Sequence, residues 1–278
     1  AGVTIREALR SAADRLERAG VPDAAHDAAQ MLAHLLDENA VAMRLNADRP
    51  LSPEAGEAYE ERIARREARE PMQYILGETG FMGFLFHVEP GVLIPRPDTE
   101  ILCEATLDRL HAASRVLDIG TGSGALAVSL SALCPGCAVT AVDVSDAALA
   151  VARGNALRVG ADVRFVKSDC FDALEGEKFD VIVSNPPYIS SGEMAHLMPE
   201  VLMEPESALF GGADGLDFYR RIAREAPCHM RPGGWLLFET GWKQKEAVCA
   251  LLREHVGEPF ALRDYGGNWR VAGARLRV

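Results

Sequence analysis

Apolar positions recur at helical spacing over residues 4–75. In "IREALRSAADRLERAG" Ile5, Leu9, Ala12, Ala13 and Leu16 share one stripe, and Gly20 marks the helix end. "DAAHDAAQMLAHLLD" predicts a second helix. "SPEAGEAYEERIARREARE" predicts another, with Ser52 at the N-cap, Pro53 in the first turn and Pro71 as the stop. No alternating stretch interrupts this region, so residues 1–75 read as a small helical domain. Over 76–98, glycines and prolines divide short apolar bursts, which predicts a hairpin and then an irregular loop linking two domains. Asp98 or Thr99 is expected to cap the helix that opens the second domain, 99–278.

After residue 114 the period changes. Short apolar, β-branched runs, "RVLDIG" (115–120), "AVTAVDVS" (138–145), "VRFVKSD" (163–169), "FDVIVSN" (179–185) and "GWLLFET" (234–240), predict strands. Amphipathic stretches separate them, the later ones at 215–230 and 243–255. That alternation predicts an α/β domain whose parallel sheet is covered on both faces. The closing "FALRDYGGNWRVAGARLRV" predicts two strands joined at "YGGN", a hairpin at the sheet's edge.

Composition narrows the function classes. The 278 residues are 48% apolar and 25% charged, ordinary for a soluble globular protein. No apolar run reaches the roughly 18 residues of a membrane helix, and the first 20 residues lack the apolar stretch of a signal peptide. The expectation is a cytoplasmic protein, with a monomer favoured. Net charge is −12; residues 1–75 carry 10 basic and 14 acidic side chains, the remainder 19 and 27. Neither part has the basic footprint of a nucleic-acid binder, so no direct nucleic-acid contact is expected. "RIARREAR" (62–69), among Glu60, Glu61, Glu67 and Glu70, reads as a solvated helix face. Of the six cysteines only Cys134 and Cys137 have suggestive spacing. They are read as small residues flanking a Pro-Gly turn, with a redox role as the alternative; no disulfide and no metal site is expected.

"VLDIGTGSGALAV" puts Gly120, Thr121, Gly122, Ser123 and Gly124 at the turn from the first strand of this series into its helix. Glycines there let backbone approach a ligand at the C-terminal sheet edge. Asp143 ends the next strand, where a carboxylate can accept from both hydroxyls of a ribose. The rival reading is a dinucleotide dehydrogenase. The spacing, however, is G-x-G-x-G with Asp118 ahead of it, not the pattern that cradles a pyrophosphate. An acid beside the loop suits a ligand carrying an amino group and a sulfonium, which favours S-adenosylmethionine, leaving S-adenosylhomocysteine as product. In "KSDCF" Asp169 is placed to accept from an adenine amino group, with Cys170 and Phe171 packing on the base.

The fourth of these strands ends on "SNPPYI". Two prolines remove two backbone donors and stiffen the exit into an extended bend. At the sheet edge that carries the glycine loop, the Asn185 side-chain oxygen and the Pro186 carbonyl can accept from the two N–H groups of an amide or amino nitrogen and aim its lone pair. Pro187 fixes the bend, and Tyr188 offers an aromatic face to a planar acceptor.

The motifs "LIPRPDTE" (93–100), "LDIGTGSG" (117–124), "AVDVS", "SDCF", "SNPPYI", "EPESAL" (204–209) and "RDYGGN" (263–268) occur in an order that resembles the HemK-type peptide chain release factor glutamine methyltransferases over nearly the whole chain. "NPPY" also occurs in adenine- and guanine-directed methyltransferases of DNA and RNA, whereas "IPRPDTE" is more specific. The resemblance implies a Rossmann-like class I S-adenosylmethionine-dependent methyltransferase sheet with an antiparallel C-terminal strand. It also implies methylation of the side-chain amide nitrogen of the glutamine in the Gly-Gly-Gln loop of class 1 release factors, with residues 1–75 recognising the substrate. By position, Gly120 to Gly124, Asp143, Cys170 and Asn185 would contact the cofactor, Asn185 to Tyr188 the glutamine, and Arg96 to Glu100 the cleft. Cys170 stands where some relatives have tryptophan. A ribosomal-protein glutamine or a base in DNA or RNA is the alternative substrate.

Overall fold

The computed structural model describes residues 2–277, which form two compact units. The first contains the chain up to Gly77 together with Met198–Met203. Its helices are α1 (Ile5–Arg18), α2 (Ala24–Leu36), α3 (Ala40–Leu45), α4 (Pro53–Glu67) and α5 (Met72–Leu76). Thr4 opens α1 with a capping box closed by Glu7, and the Ser52 hydroxyl accepts from the Ala55 N–H, 3.2 Å away, at the start of α4. Ile5, Leu16, Met31, Leu32 and Ile63 are buried together in one core. The hydrophobic pattern gave no sign of α3, whose six residues are too few to carry a period. Helix α4 stops at Glu67, before Pro71 is reached.

The solvated face expected for "RIARREAR" needs correction at Arg66. This residue is 5% exposed, with Nε 2.8 Å from Asp27 and Nη1 2.9 Å from Glu200 on the short helix Pro199–Leu202. Burial of a guanidinium is tolerable here because two carboxylates meet it.

The second unit begins with the hairpin β1 (Glu78–Phe81) and β2 (Phe84–His87), then the irregular segment to residue 98 and helix α6 (Thr99–Leu107). The sheet follows: β3 (Arg115–Ile119), helix α7 (Ala125–Leu133), β4 (Ala138–Asp143), helix α8 (Asp146–Val159), β5 (Val163–Lys167), β6 (Phe179–Ser184), β7 (Met230–Glu239), β8 (Pro259–Arg263) and β9 (Trp269–Arg275). Its order is β5-β4-β3-β6-β7-β9-β8. The first five strands pair in parallel; β9 runs antiparallel to both β7 and β8. The terminal hairpin therefore does not simply add an edge, because β9 inserts between β7 and β8. Side chains alternate across the sheet. Val116, Val181 and Val183 pack toward α6 and α7, whereas Leu117, Ile182 and Phe238 pack toward helices Asp217–Glu225 and Lys245–His255.

Two further expectations are corrected. Neither Asp98 nor Thr99 caps α6: Asp98 lies 3.2 Å from Arg270, and the Thr99 hydroxyl donates to Glu239 at 2.5 Å. Buried or paired partners outcompeted the local N–H groups for these side chains. Cys134 and Cys137 form a disulfide, since the Pro135-Gly136 turn, with Gly136 at φ +91°, brings their Cα atoms within 5.8 Å.

Candidate active site

The strand order switches direction of growth between β3 and β6, and a crevice is expected at that point beyond the C-terminal strand ends. A cavity of about 1120 Å³, counting the open space at its mouth, lies there. Its lining includes Gly91–Arg96 and Thr99, Gly120–Ser123 after β3, Asp143–Ser145 after β4, Ser168–Cys170 after β5, and Ser184–Pro187 after β6. Its walls therefore come from the C-terminal ends of four neighbouring strands, where open α/β sheets bind their ligands.

The glycine loop is open on the side it presents to this space. A Cβ on Gly120 or Gly122 would meet nothing within 4 Å, yet both have positive φ, 73° and 55°. Gly124 serves a different purpose. Its missing Cβ would sit 3.0 Å from that of Ala152, so it sets how closely α7 and α8 pack. Asp143 braces the loop: Oδ2 accepts from the Gly122 N–H at 2.9 Å, and Oδ1 from the Ser145 N–H at 2.9 Å. Each oxygen keeps a lone pair for a ligand hydroxyl. The Ser184 hydroxyl donates to the Ile119 carbonyl at 2.7 Å, locking the end of β6 to the residue before Gly120. Asn185 follows directly. Among the described residues nothing hydrogen-bonds to its carboxamide or to the Pro186 carbonyl, although both residues line the cavity.

Asp169 and Cys170 also line the cavity. Asp169 Oδ1 accepts from Arg221 at 2.7 Å, which fixes that carboxylate at the rim. Cys170 holds φ +50°, a strained value for a residue with a Cβ, and burial pushes its thiol up to about 12.

Three residues singled out in the sequence lie outside the lining of this cavity. Phe171 is outside that lining; its ring stacks on His229 at 4.5 Å within the core. Tyr188 is outside that lining as well. Its hydroxyl donates to buried Glu239 at 3.3 Å, and its body walls a second hollow with Ile189, Leu197, Trp242 and Gln244. Asp118 lies beneath the loop and not in the lining, with Oδ2 accepting from the Thr121 hydroxyl at 2.7 Å and Oδ1 without a partner.

Burial raises Asp118 to about 7, Thr121 opposing and neighbouring Asp143 adding to the rise. A folded carboxyl with a raised pKa binds more protons than the unfolded chain between about 4 and 7, so stability falls as pH rises through that window. Asp118→Asn removes this dependence. Urea unfolding at pH 5 and pH 8 should show the parent losing about 3 kcal/mol more than the variant; equal losses would mean that Asp118 keeps an ordinary pKa.

Sequence reasoning missed the groups that hold these parts from behind. Glu204 accepts from the Ile94 N–H at 2.8 Å and from the Arg96 guanidinium. Asn155 joins β2 to the glycine loop, accepting from His87 and donating to the Ser123 carbonyl at 2.8 Å. Gln244 donates to the Tyr188 carbonyl at 2.8 Å. Only Glu204 carried a signal, as the first residue of "EPESAL", and no role was attached to it.

The chain matches the family model for the PrmC N-terminal domain over residues 7–77 and that for the methyltransferase small domain over residues 96–212. Known proteins named release factor glutamine methyltransferase align over nearly its full length. The one from Geobacter sulfurreducens is 44% identical over 98% of this chain and 97% of its own, and the one from Cereibacter sphaeroides 46% over 97% and 98%. The chain belongs to the release factor glutamine methyltransferases. A third relative, from Bordetella pertussis, is 47% identical over 89% of this methyltransferase and 94% of its own length. Among solved structures, a T. thermophilus 16S rRNA N2 methyltransferase in complex with AdoMet and guanosine superposes with a TM-score of 0.55 at 25% identity, covering 72% of this methyltransferase and 50% of that chain. A methyltransferase from Pyrococcus furiosus matches with a TM-score of 0.55 at 24% identity over 78% and 96%, a likeness of fold alone. Among the described residues no helix is long and apolar enough to cross a membrane.

Proposed function

We propose that this enzyme transfers a methyl group from S-adenosylmethionine to the side-chain amide nitrogen of the glutamine in the Gly-Gly-Gln loop of class 1 release factors, in the cavity between the glycine loop and the Asn185 bend. The observation that carries the reading is an unpartnered asparagine carboxamide on a proline-stiffened bend, locked by Ser184 to the strand end that starts the glycine loop. The residues present fit the cofactor. Asp143 offers two carboxylate lone pairs to ribose hydroxyls, bare backbone at Gly120 and Gly122 admits close approach, and Asp169 stands at the rim. When bound, the cofactor supplies an electrophilic methyl carbon on a sulfonium.

An amide nitrogen is a poor nucleophile because its lone pair is delocalised into the carbonyl. Asn185 Oδ1 and the Pro186 carbonyl accept its two N–H groups, fixing the plane of the amide and turning the nitrogen toward the methyl. Once the nitrogen–carbon bond has formed, the nitrogen sheds a proton. The protonated amide is acidic enough to give it to water or along the Asn185 contact, so the bend needs no histidine. Recognition of the release factor is assigned to the helical unit, because a single glutamine must be chosen among many and the bend sees only the amide.

Incubation with labelled S-adenosylmethionine tests substrate and site together. A purified release factor should take label, and its Gln→Ala loop variant should take none. Label on both proteins, or on ribosomal protein or nucleic acid only, would overturn the reading.

A further inference from the structure

Among the described residues Arg96 is the one lysine or arginine lining the cavity, and the acids lining it are Asp143 and Asp169. An uncompensated guanidinium there would repel a sulfonium. Behind Arg96 lies the Glu204 side chain, 2% exposed, whose Oε1 takes the Arg96 Nη2 and whose Oε2 takes the Ile94 N–H at 2.8 Å. Arg96 Nη1 returns to the Ile94 carbonyl at 3.1 Å. The three contacts close a ring through which one buried carboxylate both fastens residues 94–96 at the cavity wall and cancels their charge. Pro205, next in the chain, and Ser207 line the same cavity.

We propose that Glu204 is a positioning residue that sets the cavity's charge, admitting a cationic ligand where Arg96 would otherwise disfavour it. The inference rests on the cofactor assignment above, and it separates Glu204 from ordinary wall packing. A carboxylate that only held the segment in place would support every ligand of that cavity equally. A carboxylate that offsets a cation favours a positively charged ligand over an uncharged counterpart of the same shape.

S-adenosylmethionine and S-adenosylhomocysteine are such a pair, differing by the methyl group and the sulfonium charge it confers. Glu204→Gln keeps the shape and an acceptor oxygen but removes the charge. Calorimetry at low salt should show the affinity for S-adenosylmethionine falling about tenfold more than that for S-adenosylhomocysteine, with the gap narrowing in 0.5 M salt. Adding Arg96→Met to this variant should return the ratio of the two affinities to the parental value, because the wall is then neutral again. Equal losses for the two ligands, or a ratio that the second substitution does not restore, would overturn the proposal. Should Glu204→Gln fail to fold, Arg96→Met/Glu204→Met decides alone: a parental ratio supports charge cancellation, and a tenfold departure overturns it. If the parent bound neither ligand, the cofactor assignment itself would be the statement that failed.

Discussion

Asn185→Ala is expected to lower methyl transfer about a thousandfold and to change cofactor affinity by less than about threefold. The size follows from what the carboxamide does. Removing one preorganised polar partner of a reacting group commonly costs a hundred- to a thousandfold, and here the same group also sets the orientation of a weak nucleophile. The affinity should hardly move, because the grip on the cofactor's ribose is assigned to Asp143, which is braced by backbone at Gly122 and Ser145 and owes nothing to Asn185. The bend should persist in the variant. Gly211 and Gly215 pack backbone to backbone against Pro187 and Tyr188, where a Cβ would meet their carbonyl oxygens at 2.5 and 2.3 Å, and Gln244 holds the Tyr188 carbonyl. Single-turnover transfer of label, with calorimetry alongside, reads the two quantities separately. Asn185→Asp, which keeps an acceptor oxygen in place, should recover part of the lost rate. A rate within tenfold of the parent in Asn185→Ala would remove the amide clamp from the mechanism.

The parts of this site that were legible in the sequence are those fixed by local backbone chemistry. Glycines at 120, 122 and 124 announce positive φ, and a double proline announces a stiff bend; both lie at strand ends that short continuous apolar runs locate without help from distant residues. Side-chain direction is less legible, because at a turn it is decided by what lies across it, as at Tyr188 and Phe171. Glu239, some fifty residues on, claims the Tyr188 hydroxyl, and His229 claims the Phe171 ring. Asp98 and Thr99 had the composition of a cap and were taken instead by Arg270 and Glu239. Long-range pairing of polar groups leaves no period, and this is also why Glu204, Asn155 and Gln244 escaped assignment. The order β7-β9-β8 is of the same kind, since a hairpin's sequence does not say which of its strands meets the sheet.

Asp143→Ala is expected to raise the dissociation constant for S-adenosylmethionine about a hundredfold, the effect appearing in binding before it appears in the rate of bound enzyme. Hydrogen bonds to a charged group contribute about 1.5–3 kcal/mol each, and two ribose hydroxyls on one carboxylate, less the cost of desolvating it, leave a net of about 3 kcal/mol. Part of the loss comes from the protein itself. Without the carboxylate the Gly122 and Ser145 N–H groups lose their acceptor, and the loop between β3 and α7 loses its brace to the end of β4. Asp143→Asn should fall between parent and Ala, since its amide keeps one accepting oxygen and forfeits the other. The ribose is common to cofactor and product, so in either variant both ligands should weaken, unlike Glu204→Gln, for which the loss falls chiefly on the cationic one. Asp143 carries charge into the same cavity, and the two carboxylates are told apart by the large loss of S-adenosylhomocysteine affinity that only Asp143→Ala should show. Undiminished binding to Asp143→Ala in calorimetry would place the ribose elsewhere in the cavity.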